Sequence, residues 1–143
     1  MKLVAVTAAL LPLLAGAAFA QDQTDYLTES PEGARAYIIA PADGDVVTSP
    51  VTVVFGLSGM GVAPAGMERI DTGHHHLLID AELPFMDEPI PASDNYLHFG
   101  GGQTETRIEL APGEHRLQLL LGDLNHIPHN PPVMSEAITI TVE

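Results

Sequence analysis

Short apolar runs, some alternating and some continuous, are separated along this chain by clusters of glycine, proline and aspartate. An alternation of period two puts successive side chains on opposite faces of a strand, and no stretch keeps the 3.6-residue period of a long helix. The pattern predicts seven strands: 35–40 (RAYIIA), 51–57 (VTVVFGL), 74–80 (HHHLLID), 96–99 (YLHF), 104–110 (TETRIEL), 114–121 (EHRLQLLL) and 137–142 (AITITV). Val46-Val47 reads as a short continuation after the turn at 41–45. Two long connections, 58–73 and 122–136, carry glycine, proline and methionine. Strands of this number and spacing predict an all-β fold, a seven-stranded antiparallel immunoglobulin-like β-sandwich, with a small barrel or jelly roll as the alternative.

The N-terminus reads as a targeting segment. Lys2 precedes an apolar stretch, 3–15, broken only by Thr7 and Pro12, and Ala18-Phe19-Ala20 fits a small-x-small cleavage site before Gln21. The expected organisation is a signal peptide at 1–20, a flexible polar arm at 21–33 and one β-sandwich domain at 34–143. The apolar run is too short for a membrane anchor, and no later run is long enough, so membrane insertion is not expected. The expected location is periplasmic or secreted. The chain has no cysteine, so packing rather than disulfides must hold the domain together in an oxidising compartment.

Charge narrows the partners. Past Lys2 the basic residues are Arg35, Arg69, Arg107 and Arg116, against nineteen acidic residues, a balance of −15. A field of that sign repels phosphate backbones and excludes nucleic acid as a partner; it attracts cations and also serves solubility.

Seven histidines in a chain without cysteine or tryptophan are the candidate chemistry. In a sandwich the loops after the second, fourth and sixth strands share one end. His74, His75 and His76 begin the third strand, His98 nearly ends the fourth, and His126 and His129 lie in the loop after the sixth. Six histidines therefore converge, and His115, beside the turn at the other end, serves as a control. Alternation puts His74 and His76 on one face and His75 on the other. Met60, Met67 and Met134 lie in the loops at the same end, and Met86 in a connection at the opposite end. Imidazole with thioether suits copper, and imidazole alone suits zinc. The alternative use of such a cluster is hydrogen-bonded scaffolding, with Asp71, Asp80, Asp94 and Asp123 as partners and the methionines as packing. The 122–132 loop, stiffened by three prolines, would hold two side chains in place or simply pack over the sandwich end.

Enzyme signatures are missing: no nucleophile elbow, no cysteine nucleophile, no HExxH, and no P-loop lysine after Gly100–Gly102. A zinc hydrolase built on His74, His76 and His129 ranks below simple binding.

The segments GHHHLLID, YLHFGGGQTETRIELAPGEHRLQLLLGD and NHIPHNPPVMSEAITITV resemble a bacterial exported family, the domain of unknown function DUF4399, over most of 36–142. The resemblance implies a single exported domain and no particular activity, and it draws His115 into the same recognisable stretch. A looser analogy runs to small, cysteine-free periplasmic copper-resistance sandwiches. The resulting expectation is a metal-binding protein, copper preferred and zinc second, for storage, delivery or tolerance. His74, His76, His126 and His129 are the first ligands, His75 and His98 the next, and Met60, Met67 and Met134 candidates for Cu(I). Asp123 would orient a ligating imidazole. A periplasmic protein partner fits the same role. The competing expectation is a non-catalytic module binding a protein or glycan.

Overall fold

A computed structural model describes residues 26–143. The signal-peptide segment 1–20 and the first residues of the arm lie outside the described residues. The described chain is all-β, with nine strands: β1 (Arg35–Ala40), β2 (Val46–Val47), β3 (Val51–Ser58), β4 (Gly61–Val62), β5 (Thr72–Ile79), β6 (Tyr96–His98), β7 (Glu105–Ile108), β8 (Gly113–Gly122) and β9 (Ile138–Val142). All seven strands expected from the pattern form.

The strands make two sheets. The smaller has the order β1-β3-β7, and the larger β2-β9-β8-β5-β4, with β6 also paired to β5. β4 and β6 share one edge of β5, β4 opposite Thr72 and Gly73 and β6 opposite His76–Leu78. The larger sheet is mixed rather than purely antiparallel, because β2 runs parallel to β9 and β4 parallel to β5. Both parallel partners are two-residue strands, too short to show a period, so the pattern could not have announced them.

The core lies between the sheets. Val51, Val53 and Phe55 alternate inward from β3 and meet Leu77 and Ile79 of β5, Leu117 and Leu119 of β8, and Ile140 and Val142 of β9. Each buried aliphatic side chain of this size stabilises the fold by about 1.5–3 kcal/mol. The outer face of the larger sheet is also covered. Leu78 and Leu120 point outward there and pack under Ile90, with Met86 and Tyr96 alongside. Covered on both faces, β5 is buried from Gly73 to Ile79, which explains its continuous rather than alternating run of apolar and histidine residues.

The described end of the arm is docked. Ser30 N–H donates to the Asn130 carbonyl, Asn130 N–H to that of Thr28, and the Thr28 hydroxyl to an Asp123 carboxylate oxygen at 2.7 Å. The arm thereby straps the loop between β8 and β9.

Candidate metal centre

The site starts from the split of three consecutive residues by strand alternation. His74 and His76 face outward from β5, while His75 faces the core. His98 on β6 stands directly opposite His76, which puts it on the same outer face. Across the other edge, His74 pairs with Gly122 of β8. The chain then turns back over the outer face and delivers His126 onto this group, with Gly122 directly beneath it.

The β8–β9 loop that carries His126 is built by Asp123. Its Oδ1 accepts the N–H groups of Asn125 at 2.8 Å and Ile127 at 3.0 Å, while its backbone carbonyl accepts that of His126. His126 sits at φ 68°, in the left-handed region that costs most residues about 1–2 kcal/mol. Histidine is among the few side chains enriched there. The expected role of Asp123 was to orient an imidazole directly. It instead shapes the backbone that presents His126.

Four imidazoles meet. His74, His76, His98 and His126 each offer a nitrogen, and these atoms all lie within 4.8 Å of one another. Ring centroids are 4.6 Å apart for His98 and His126, 4.9 Å for His74 and His76, and 5.0 Å for both His74–His98 and His74–His126. Nitrogens bound tetrahedrally to one ion at ~2.0–2.1 Å lie about 3.3 Å apart. The group is therefore near a ligating geometry, and small side-chain rotations close it.

Glycines make room for the rings. A Cβ on Gly122 would lie 2.8 Å from His76 Cε1, and one on Gly100 would lie 2.3 Å from His98 Cε1. Neither glycine has a positive φ, so the close ring contact is what requires them. Gly122→Ala is therefore expected to push the His76 ring out of the cluster. Metal affinity, measured by competition with a chelator, should fall by on the order of tenfold or more, with loss of stability of about 1–3 kcal/mol from overpacking.

The electrostatics suit ligation. Burial pushes His74 down to about 4 and His76 down to about 3, with neighbouring imidazoles adding to the shift, His126 most for His74 and His74 most for His76. Burial, then His126, lowers His98 as well. These three rings are neutral at pH 7 with lone pairs free, the form a metal needs. The scaffold explanation fits less well. His74 Nε2 and His126 Nδ1 share one hydrogen bond at 3.0 Å, yet Nδ1 of both His74 and His76 is buried without a partner. Among the described residues the single histidine–carboxylate pair is His115 with Asp80, at 2.6 Å. His115 also reaches the Ala111 carbonyl and lies at the far end of the fold, where the pair raises its pKa.

The remaining candidates are placed elsewhere. His129, expected among the first ligands, is not one of the four. A Cβ on Gly73 would lie 2.9 Å from His129 Cε1, on the face of β5 that carries His75. The β8–β9 loop thus wraps the sheet end, with His126 on one side and His129 on the other. His129 Nε2 donates to the Thr72 carbonyl at 3.2 Å, and burial lowers its pKa. The triad His74, His76 and His129 is therefore not assembled. His75 is buried against Phe55 at a centroid distance of 5.2 Å, both ring nitrogens lack partners, and burial lowers it to about 4. Met67 is exposed, and the Met134 sulfur faces the Gln118 amide. His98, ranked behind His129 on sequence, is the member whose pairing with His76 no local pattern could reveal.

Residues 53–143, well over half of the chain, match the family described as Domain of unknown function (DUF4399). The chain belongs to this family. The matched span contains all seven histidines, β4 to β9 and most of β3, and leaves out β1 and β2. No curated protein and no solved structure matches the chain. The case for what this DUF4399 domain does therefore rests on its own site.

Proposed function

We propose that this protein is a periplasmic metal-binding protein whose site is the His74, His76, His98 and His126 cluster, serving storage, delivery or tolerance of the ion. One observation carries the reading: four imidazoles from three separate elements converge within 4.8 Å, with too few mutual hydrogen bonds to account for them. Four imidazoles are a donor set that suits the divalent ions Cu(II) and Zn(II). Imidazole nitrogens bind Cu(II) more tightly than Zn(II), which keeps copper first and zinc second. The acidic chain concentrates cations around the site, and the signal-like leader supports export. We propose that the two facing sheets are a sandwich of immunoglobulin type to which the short parallel strands β2 and β4 have been added at the edges of the larger sheet.

The test is a titration of the untagged protein, stripped by chelation, with Cu(II), Zn(II) and Cu(I), followed by desalting and elemental analysis. One retained equivalent of Cu(II) or Zn(II) is expected. Absence of any retained ion would refute the reading.

A further inference from the structure

We propose that the ion enters and leaves through the His98 side of the cluster, with His98 the ligand that yields its place to an incoming donor. This rests on the metal-binding reading above and adds the direction of exchange.

The four imidazoles are not equivalent. His74 and His76 are 0 % and 1 % exposed. They are fixed on β5, which is bonded to β8 along one edge and to β4 and β6 along the other. The sheet closes the site from below. His126 is held by its two neighbours' bonds to Asp123, and its own carbonyl accepts Ile90 N–H at 2.9 Å. The same loop is tied sideways, since Leu124 accepts Gly66 N–H at 2.9 Å. Three of the four rings thus sit on backbone that is pinned from several directions.

His98 differs in its exposure and in its place at the end of an edge strand, although the N–H of Phe99 beside it bonds the His75 carbonyl at 3.1 Å. It is exposed, and it ends a three-residue strand paired on one side to β5. Gly100-Gly101-Gly102 follows almost at once. Gly100 lies beside the His98 ring, where a Cβ would sit 2.6 Å from Nε2 and 3.3 Å from Ala65 Cβ, so only a glycine leaves room for the ring on this side. Short edge elements with exposed hydrogen bonds are the first to open locally.

The chemistry is simple ligand exchange. A nitrogen or sulfur donor approaches from solvent and bonds to the ion as the His98–metal bond breaks. The ion then passes on as the His126, His74 and His76 bonds follow. Each imidazole leaves with its own lone pair, no electron changes hands, and an incoming thiol, if that is the donor, gives its proton to solvent as it binds. A site closed by four ligands binds firmly, and one displaceable ligand lets it be unloaded without opening the fold.

The experiment loads the full-length protein with one equivalent of Zn(II) and mixes it with an excess of a chromophoric chelator in a stopped-flow instrument. For the wild type, the transfer rate is expected to rise with chelator concentration. His98→Ala should hold the ion more weakly than the wild type but more tightly than either His74 variant, and transfer it on the order of tenfold faster or more, affinity changes of this kind lying mostly in the off-rate. His74→Ala should retain none, and His74→Asn, which keeps a small polar side chain, guards against loss through misfolding. A wild-type rate independent of chelator concentration would overturn the direction of exchange. So would a His98→Ala protein that loses the ion as completely as both His74 variants. A wild type that retains no ion fails at the earlier step, and its failure identifies the binding reading itself as wrong.

Discussion

His74→Ala/His76→Ala is expected to abolish stoichiometric metal retention, while His129→Ala retains a full equivalent. The two residues supply half of the four imidazoles and both of the deeply buried ones. Losing two ligands leaves only the exposed His98 and the loop-borne His126, and affinity should fall by at least ~1,000-fold, equivalent to about 4 kcal/mol. His129 matches the others in residue type and burial but lies across the sheet, bonded to the Thr72 carbonyl. Its removal should cost stability alone. Isothermal titration with Zn(II), with circular dichroism to verify the fold, separates the two effects. If His129→Ala loses the ion and the double variant keeps it, the outer-face site is not where metal binds.

Acid should unfold the metal-free protein steeply between pH 6.5 and 4. In the unfolded chain the histidines protonate near 6.5, whereas in the folded protein His74 and His75 wait until about 4 and His76 until about 3. Across that window the unfolded state binds more protons, so stability is complete above pH 6.5 and falls as pH falls toward 4. A group whose folded and unfolded pKa values differ by one contributes about 1.4 kcal/mol, and several buried histidines together reach the size of a whole domain's stability of about 5–15 kcal/mol. His115 works in the opposite sense, its raised pKa favouring the folded state at low pH, but it is a single, peripheral ion pair. His75→Leu tests the claim apart from metal binding. It removes a titrating ring whose two nitrogens are buried without partners. Thermal melts should show it more stable than the wild type, with the gain growing as pH drops from 7 to 5. A gain that stays flat with pH would show that His75 does not drive the acid sensitivity.

The strands and the end of the fold at which the histidines gather are readable from the chain, because both follow from period and connection order. Alternation also separates His75 from His74 and His76. What the pattern cannot supply is the path of the β8–β9 loop. His126 and His129 are three residues apart in one proline-stiffened loop, which on sequence alone implies that they act together. The positive φ at His126 and the bonds gathered by Asp123 turn the loop around the sheet end instead. Similarly, the pairing of His98 with His76 depends on the partners of a three-residue edge strand, and such pairings are set by tertiary packing. Met134 reaches the outer face of β8 at Gln118, four residues along the strand from Gly122.

The threefold histidine followed by Leu77-Leu78-Ile79 has a consequence for how the chain finds its fold. Most strands resist a one-residue slip because it would carry their apolar side chains into water. β5 has less such protection along its middle, since a slip puts histidine for histidine at 75 and leucine for leucine at 77 or 78, and its cost is confined to moving His76 into the slot of Leu77 or Asp80 into that of Ile79. Its correct frame must be read from elsewhere: from the glycines at 73 and 122 that tolerate only one placement of the rings, and from Asp80, whose carboxylate accepts Arg116 N–H at 2.8 Å just past the strand's end. Errors of assembly in this protein should therefore concentrate in a single strand, yielding compact molecules that look native in secondary structure yet present one outward histidine where two belong.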